Sequence, residues 1–114
     1  MKKPLDAYVR FLTLAQTISG SLEHGNLDAT AFQLLDQVLI RDSQEDLLTV
    51  TEAMAINEIA SPATLHRKVD ELLNEGFIQL TFKGNNRRTK YLTPTKKAFD
   101  YYKKLGTFLM KSVA

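Results

Sequence analysis

The stretch SPATLHRKVDELLNEGFIQLTFKGNNRRTK, residues 61–90, contains the signals of a helix followed by a hairpin. Ser61-Pro62 is a typical helix start, because serine caps the first turn and proline at the first helical position loses no hydrogen bond. Gly76 is suited to the left-handed conformation that commonly ends a helix. Apolar side chains recur between these two signals at helical spacing. They are Leu65, Val69, Leu72 and Leu73. We therefore predict a helix that buries this face and leaves a polar face open.

The next segment has the pattern of two strands joined by a tight turn. From Phe77 to Phe82 apolar and polar residues alternate, which is the period of a half-buried strand, and Thr89–Thr93 forms the return strand. Gly84-Asn85-Asn86 tolerates the positive φ that a tight hairpin requires. We predict a two-stranded wing whose tip carries several cations.

Charge is distributed unevenly along the chain. Residues 1–58 hold four lysines and arginines against nine acidic residues, whereas residues 59–114 hold eleven against four. A clustered positive field attracts polyanions and steers their association. The basic half contains the predicted helix and wing, which points to nucleic acid as the partner.

Composition limits the other classes of function. A chain of 114 residues with 44% hydrophobic content suits a single domain. There is no cysteine, and the only histidines are His24 and His66, so we expect no metal site, no thiol chemistry, no cofactor and no enzymatic activity. Adjacent acids such as Asp70-Glu71 point about 100° apart on a helix and are interpreted as surface charge. No apolar run approaches the roughly 18 residues that span a membrane, and the expected location is the cytoplasm.

Helices are expected on both sides of this segment. The first covers residues 1–20, and a second runs from an N-cap at Asp28 to about Arg41. Thr49 and Glu52 form a capping-box pattern that starts a short helix, ending between Asn57 and Ala60. Thr93-Pro94 repeats the hydroxyl-then-proline signal and starts the last helix, over residues 94–114.

The two terminal helices are too apolar to be solvated on all remaining sides, which favours contact with a second copy of the chain. The candidate dimer residues are Leu5, Tyr8, Phe11, Tyr101, Phe108, Leu109 and Val113. For Phe11 and Leu14, which widen the apolar stripe of the first helix, the alternative is that a neighbouring helix covers them.

Residues 47–99 resemble the winged helix-turn-helix domains of bacterial transcriptional regulators of the MarR type. The resemblance rests on the segments Thr49–Ala53, Ser61–Leu72, Gly76–Ile78 and Leu92–Pro94. It implies a mostly α fold with a small β-hairpin, here a single winged-helix domain over residues 1–114 whose helix-turn-helix core and wing occupy residues 28–93. It also implies a recognition helix in the major groove, an arginine-bearing wing in the minor groove, and dimerisation through the terminal helices. We carry over no small-molecule effector.

The expected function is sequence-specific binding of double-stranded DNA by a dimeric regulator at the bacterial nucleoid. The candidate contacts are Ser61, Ala63, Thr64, His66, Arg67 and Lys68 on the helix, and Lys83, Asn85, Asn86, Arg87, Arg88 and Lys90 on the wing. Arginine suits base reading because its fork pairs bidentately with guanine. His66 could equally pack against the wing or bond to backbone. Two alternatives remain open, a winged helix used as a protein-interaction module and a replication or plasmid-maintenance factor.

Overall fold

The computed structural model describes residues 3–21 and 27–114, without the side chains of residues 19–21. The helices are α1 (Lys3–Ser21), α2 (Ala29–Ser43), α3 (Val50–Met54), α4 (Pro62–Asn74) and α5 (Lys96–Val113), and the strands are β1 (Leu48–Thr49), β2 (Ile78–Lys83) and β3 (Asn86–Pro94). The expected fold class is confirmed, since the chain is mostly helical with a small antiparallel sheet in a winged-helix-like layout. The described residues form two compact units, α1 with residues 99–114, and residues 27–98.

Helix α2 supplies the central apolar face of the second unit. Asp28 caps it as predicted, because one oxygen of its carboxylate accepts the N–H of Ala31 at 2.9 Å. The helix ends at Ser43, two residues beyond the expected end, and Glu45 then adopts a left-handed φ of 55°. Its buried residues are Ala31, Leu34, Leu35 and Val38. Helix α4 and the sheet both pack on α2, and these buried side chains form its apolar face.

Helix α3 begins with the predicted capping box. The hydroxyl of Thr49 accepts the N–H of Glu52 at 3.0 Å, and the carboxylate of Glu52 accepts the N–H of Thr49 at 3.0 Å. The predicted end between Asn57 and Ala60 was wrong, since the helix stops at Met54. Tight turns follow instead, in which the N–H of Asn57 bonds to the carbonyl of Ala55.

The junction between α4 and β2 has the predicted start and stop signals. Ser61 caps α4 through the N–H of Thr64 at 3.3 Å. Gly76 has a φ of +79°, its N–H donates to Leu73, and the N–H of Phe77 donates to Leu72. These two bonds are those of a Schellman motif. The chain therefore leaves the helix at a fixed angle, with Phe77 buried directly after the turn.

The sheet has three strands in the order β1-β3-β2, so the prediction of a two-stranded wing was incomplete. Strand β1 is only two residues long, and it pairs Leu48 with Leu92. The turn consists of Gly84 and Asn85, with a positive φ only at Gly84, while Asn86 already belongs to β3. The register shifts between Thr81 and Lys83, so that residues 87–90 lie between the partners of these two. The basic part of β3 is thus outside the regular ladder.

The last helix does not start where the sequence predicted. Pro94 ends β3, where it is buried opposite Ile78, and Thr95 performs the capping role assigned to Thr93. The hydroxyl of Thr95 accepts the N–H of Ala98 at 3.4 Å and donates to the carbonyl of Gly76 at 2.6 Å. Pro94 is paired on the β2 side alone, since the pairs with β1 end at Leu92, and a proline without an N–H is tolerated where a strand has an open side. No helix within residues 3–21 and 27–114 is long and apolar enough to cross a membrane.

Two glycines with opposite roles allow a test of the helix boundaries. Gly76 adopts positive φ, whereas Gly106 lies inside α5, and an added Cβ at either position meets no atom within 4 Å. Gly76→Ala should cost about 1–2 kcal/mol of unfolding free energy, because a left-handed conformation strains a residue with a Cβ. Gly106→Ala should gain about 0.5–1 kcal/mol through higher helix propensity. Urea denaturation measures both, and a loss of stability in Gly106→Ala would contradict a helical residue 106.

Candidate nucleic-acid interface

Helix α4 presents a polar face at its N-terminal half. Ser61, Ala63 and Arg67 are exposed, and Thr64 is half-buried. The hydroxyl of Thr64 accepts hydrogen bonds from Ser61 at 3.1 Å and from the guanidinium of Arg67 at 3.4 Å. The first turn of this helix contains no acidic residue. This face therefore offers hydrogen-bond donors to an anionic ligand, and its first turn carries no negative charge that would repel one.

His66 lies on the same exposed side of α4, with 67% of its side chain accessible. Its Nδ1 atom is 3.4 Å from a carboxylate oxygen of Asp70, one turn later. The structure thus places it on the exposed side of α4, with its contact to Asp70 along the same helix. Asp70 begins the acidic half of α4, so His66 marks the boundary between the two halves.

Lys68 was predicted to face the groove, and this prediction was wrong about its direction. Its side chain is only 10% exposed, and Nζ donates to Asp28 at 2.9 Å and to both oxygens of Glu71 at 3.3 Å. The signal was present in the sequence, because residue 68 is three positions after Leu65 and four before Leu72, and both lie on the buried face. Position 68 therefore belongs to the inner side of the helix, whatever its charge.

The contact between Asp28 and Lys68 changes the acidity of both groups. The pKa of Asp28 is lowered, chiefly by the N–H of Ala31 and next by the ammonium of Lys68. The pKa of Lys68 is raised, first by its hydrogen bond to Asp28 and further by Glu71, against the opposing effect of burial. Both shifts favour the charged pair. The carboxylate thus serves two helices, one oxygen capping α2 and the other holding α4.

Two cations of the wing lie over aromatic rings. The ammonium of Lys83 is 4.4 Å from the ring centroid of Tyr91, and the guanidinium of Arg87 is 5.1 Å from that of Phe82. Both distances are within the range of cation–π attraction. The rings are partly exposed, so they hold the cations near the surface without burying them. Ring contact restricts these long side chains and lowers the entropy that a ligand would have to remove.

Arg88 and Lys90 occupy alternate positions of β3 and line a shallow depression of about 390 Å³ together with Thr49, Val50 and Thr51. Asn86 shapes the strand here, because its side-chain oxygen accepts the N–H of Arg88 at 2.9 Å. The depression joins the wing to the start of α3. It contains hydroxyls and cations but no acidic lining residue, a composition that suits an anionic oxygen.

The exposed cations of α4 and the wing share one property. In the part of the chain that the structure describes, no carboxylate lies within ion-pair distance of any of them. They are Arg67, Lys83, Arg87, Arg88 and Lys90. The predicted contacts Asn85 and Asn86 are exposed beside them.

His24 lies outside the described residues, and within residues 3–21 and 27–114 no three histidine or acidic side chains cluster as metal ligands would.

A second candidate surface is apolar and belongs to the unit of α1 and residues 99–114. Leu5, Tyr8, Leu109 and Val113 are exposed, the last at 77%, while Phe11, Tyr101 and Phe108 are half-buried. A groove of about 200 Å³ runs between the helices, lined by Pro4, Ala7, Tyr8, Phe11, Leu109, Ser112 and Val113. Three further exposed apolar residues of these helices were not included in the prediction, namely Val9, Leu12 and Met110. Their helical spacing on α1 was the signal that could have found the first two.

No protein-family model matches the sequence, and no curated protein matches it either. The fold does resemble solved structures. The crystal structure of RV1404 from Mycobacterium tuberculosis superposes with a TM-score of 0.63 at 19% sequence identity, covering 96% of this chain and 70% of that one. A likeness at this identity establishes a common fold alone.

The Asp28 cap yields a prediction that depends on pH. Asp28→Ala should lose about 1 kcal/mol of unfolding free energy, a typical value for an N-cap. Asp28→Asn keeps an oxygen for Ala31 but loses the charge and the second oxygen, which accepts the hydrogen bond from Lys68. Because the folded-state pKa is lowered, the charge stabilises the protein above the ordinary carboxyl pKa of about 4, and this contribution disappears as pH falls through the lowered pKa.

Wild type should therefore be more stable than Asp28→Asn at pH 7, and the difference should shrink below about pH 4. Urea denaturation across pH measures this. Glu58→Gln is the control, because Glu58 is exposed and forms no ion pair among the described residues. A gap between wild type and Asp28→Asn that stays constant from about pH 7 to about pH 3 would contradict the charged pair.

Proposed function

We propose that this protein binds double-stranded DNA sequence-specifically as a homodimer and acts as a transcriptional regulator in the bacterial cytoplasm. The observation that carries the proposal is the set of five exposed cations on α4 and the wing, which lie within one compact unit and have no ion-pair partner among the described residues. Such surface cations create a field that phosphates can neutralise, and this term supplies much of the affinity of DNA-binding proteins.

Helix α4 is the candidate reader of base sequence. The major groove is about 12 Å wide and admits one helix. Arg67 would contact a guanine edge or a phosphate, with Thr64 and Ser61 supporting its fork and His66 adding a donor. Ala63, which is small and exposed, permits close approach of the helix to the groove. Asp70 and the acids beyond it would repel phosphates, so the N-terminal two turns are the part that enters.

The wing is the candidate phosphate and minor-groove arm. Arg87 and Lys83 lie on aromatic rings at its end, and Arg88 and Lys90 border the depression beside α3. Asn85 in the turn and Asn86 at the start of β3 add amide donors. The shifted register supports this role, since residues 87–90 are free of the regular ladder and keep their side chains at the surface.

The apolar surface of α1 and residues 99–114 supports the homodimer. Isolated exposed apolar residues are normal, but a contiguous set on two helices is typical of an interface. Two-fold symmetry would then give a palindromic site with half-sites about one helical turn apart. A replication or plasmid-maintenance role would use the same contacts.

The wing assignment is tested by DNA binding across a salt series. Arg87→Ala/Arg88→Ala should bind pooled genomic DNA more weakly than wild type. Its log–log salt slope should be shallower by about 0.9 for each phosphate that the variant no longer neutralises. Lys103→Ala/Lys104→Ala removes the same charge from exposed positions on α5 and is the matched control, for which we expect a nearly unchanged slope. Fluorescence anisotropy with labelled duplexes provides the measurement.

Equal effects of the two double variants would mean that net charge alone governs binding, and the wing would lose its assigned role. Absence of wild-type binding at low salt would instead favour a protein-interaction module.

The dimer is tested by sedimentation. Wild type at micromolar concentration should have twice the 12.9 kDa mass of the chain, and Leu109→Asp should sediment as a monomer, because a buried unpaired charge is costly at an apolar interface. Ile40→Asp is the matched control, since Ile40 is also an exposed aliphatic residue but lies on α2. A monomeric wild type would refute the dimer.

A further inference from the structure

Lys68 is the one cation of α4 that turns away from the exposed face. Its three N–H donors have three acceptors at 2.9–3.3 Å, one oxygen of Asp28 and both oxygens of Glu71. Only 10% of its side chain is exposed. The neighbouring Arg67 is exposed and forms no ion pair with the described carboxylates. Two adjacent cations on one helix thus point in different directions, Arg67 to the surface and Lys68 toward Asp28 and Glu71.

We propose that Lys68, held by Asp28, is a positioning residue that sets α4 in place for base reading and does not itself touch DNA. This inference rests on the proposed DNA-binding function. It divides the cations of the helix into one that contacts the ligand and one that orients the contact.

The geometry of Asp28 is what makes the contact directional. One of its oxygens is fixed by the N–H of Ala31 at the start of α2, and the other receives the ammonium from α4. The carboxylate therefore ties the middle of α4 to the start of a helix whose inner face is fully buried. The apolar contacts below α4 fix its distance from α2, but they are non-directional and restrain rotation and sliding less well.

Small displacements of α4 would matter for reading bases. A hydrogen bond to a base edge requires a donor–acceptor distance of about 2.7–3.2 Å, and binding constellations need positional control of about 0.5 Å. Phosphate contacts by flexible side chains tolerate larger shifts. Removal of the ion pair between Lys68 and Asp28 should therefore reduce the affinity for the specific site and leave non-specific affinity nearly unchanged.

This expectation separates positioning from the two other roles that Lys68 could have. A phosphate contact would lower the salt slope on every DNA sequence. A purely structural role would reduce the stability of the fold, but it would leave the ratio of specific to non-specific affinity unchanged as long as the protein is folded.

The experiment compares Lys68→Met with Arg67→Met, which make the same charge change at adjacent positions. Each variant and wild type are titrated with the duplex selected from a random library and with a scrambled duplex, across salt, at a temperature where circular dichroism shows full folding. Lys68→Met should weaken binding to the selected duplex by roughly 2- to 30-fold, with little change on the scrambled duplex and an unchanged slope. Arg67→Met should reduce the slope on both duplexes, by about 0.9 if it contacts a phosphate.

Asp28→Asn is the second variant, because it removes the partner charge and retains an oxygen for the N-cap, so it remains informative if Lys68→Met does not fold. It should reproduce the loss of specificity. Lys68→Met/Asp28→Asn should be no worse than the single variants, since two residues that act through one contact are not additive.

An unchanged specificity ratio in the folded single variants would overturn the positioning role, and a reduced salt slope in Lys68→Met would show a phosphate contact instead. If wild type does not distinguish the two duplexes and does not bind at low salt, the proposed function itself fails and this inference falls with it. Binding by wild type with a normal ratio in both variants would remove only the inference.

Discussion

The burial of Phe77 is the constraint on which the candidate interface depends. Its ring, 1% exposed, packs edge-to-face on Phe32 of α2 with centroids 6.0 Å apart, and the ammonium of Lys97 lies 4.5 Å above it. Its N–H closes the turn after α4, and its carbonyl accepts the N–H of Thr95 before α5. One residue thus connects two helices, the exit of α4 and the entry of α5. The angle between α4 and the wing follows from this burial, because β2 begins at the next residue.

The wing is anchored from its other side by Leu92. This residue is fully buried and pairs with Leu80 of β2 and with Leu48 of β1. The two-residue strand β1 ends at Thr49, which also caps α3, so a single residue joins the sheet to the helix-turn-helix. The register shift lies at the basic end of the hairpin, whereas the opposite end is anchored by the buried side chains of Phe77, just before β2, and Leu92 in β3.

Local signals in the sequence predicted the ends of α4 and the starts of α2 and α3 because each depends on residues within one turn. Ser61, Gly76 and the pair Thr49 and Glu52 all behave in this way. Strand β1 could not be predicted from its own two residues, since its pairing with the distant strand β3 defines it. Thr95 replaced Thr93 as a cap because the sheet continues to Pro94, and this continuation is again a tertiary effect. The exposed cations were found from charge alone, whereas the direction of Lys68 required the spacing of the buried face.

The polarity of α4 supports one orientation toward an anionic ligand. Its last turns carry Asp70 and Glu71, and the carbonyl of Glu75 accepts the ammonium of Lys97 at 2.6 Å. This end is thus engaged by the protein's own cations, and the positive end of the helix dipole lies at Ser61, where no acid is present. Glu71 holds Lys68 inward, so the charge of this acid is paired with a cation of the same helix. On the exposed side, the Nδ1 atom of His66 lies 3.4 Å from a carboxylate oxygen of Asp70. The N-terminal half of α4 therefore presents the exposed Arg67 and no acid, whereas the acidic side chains of this helix lie from Asp70 onward.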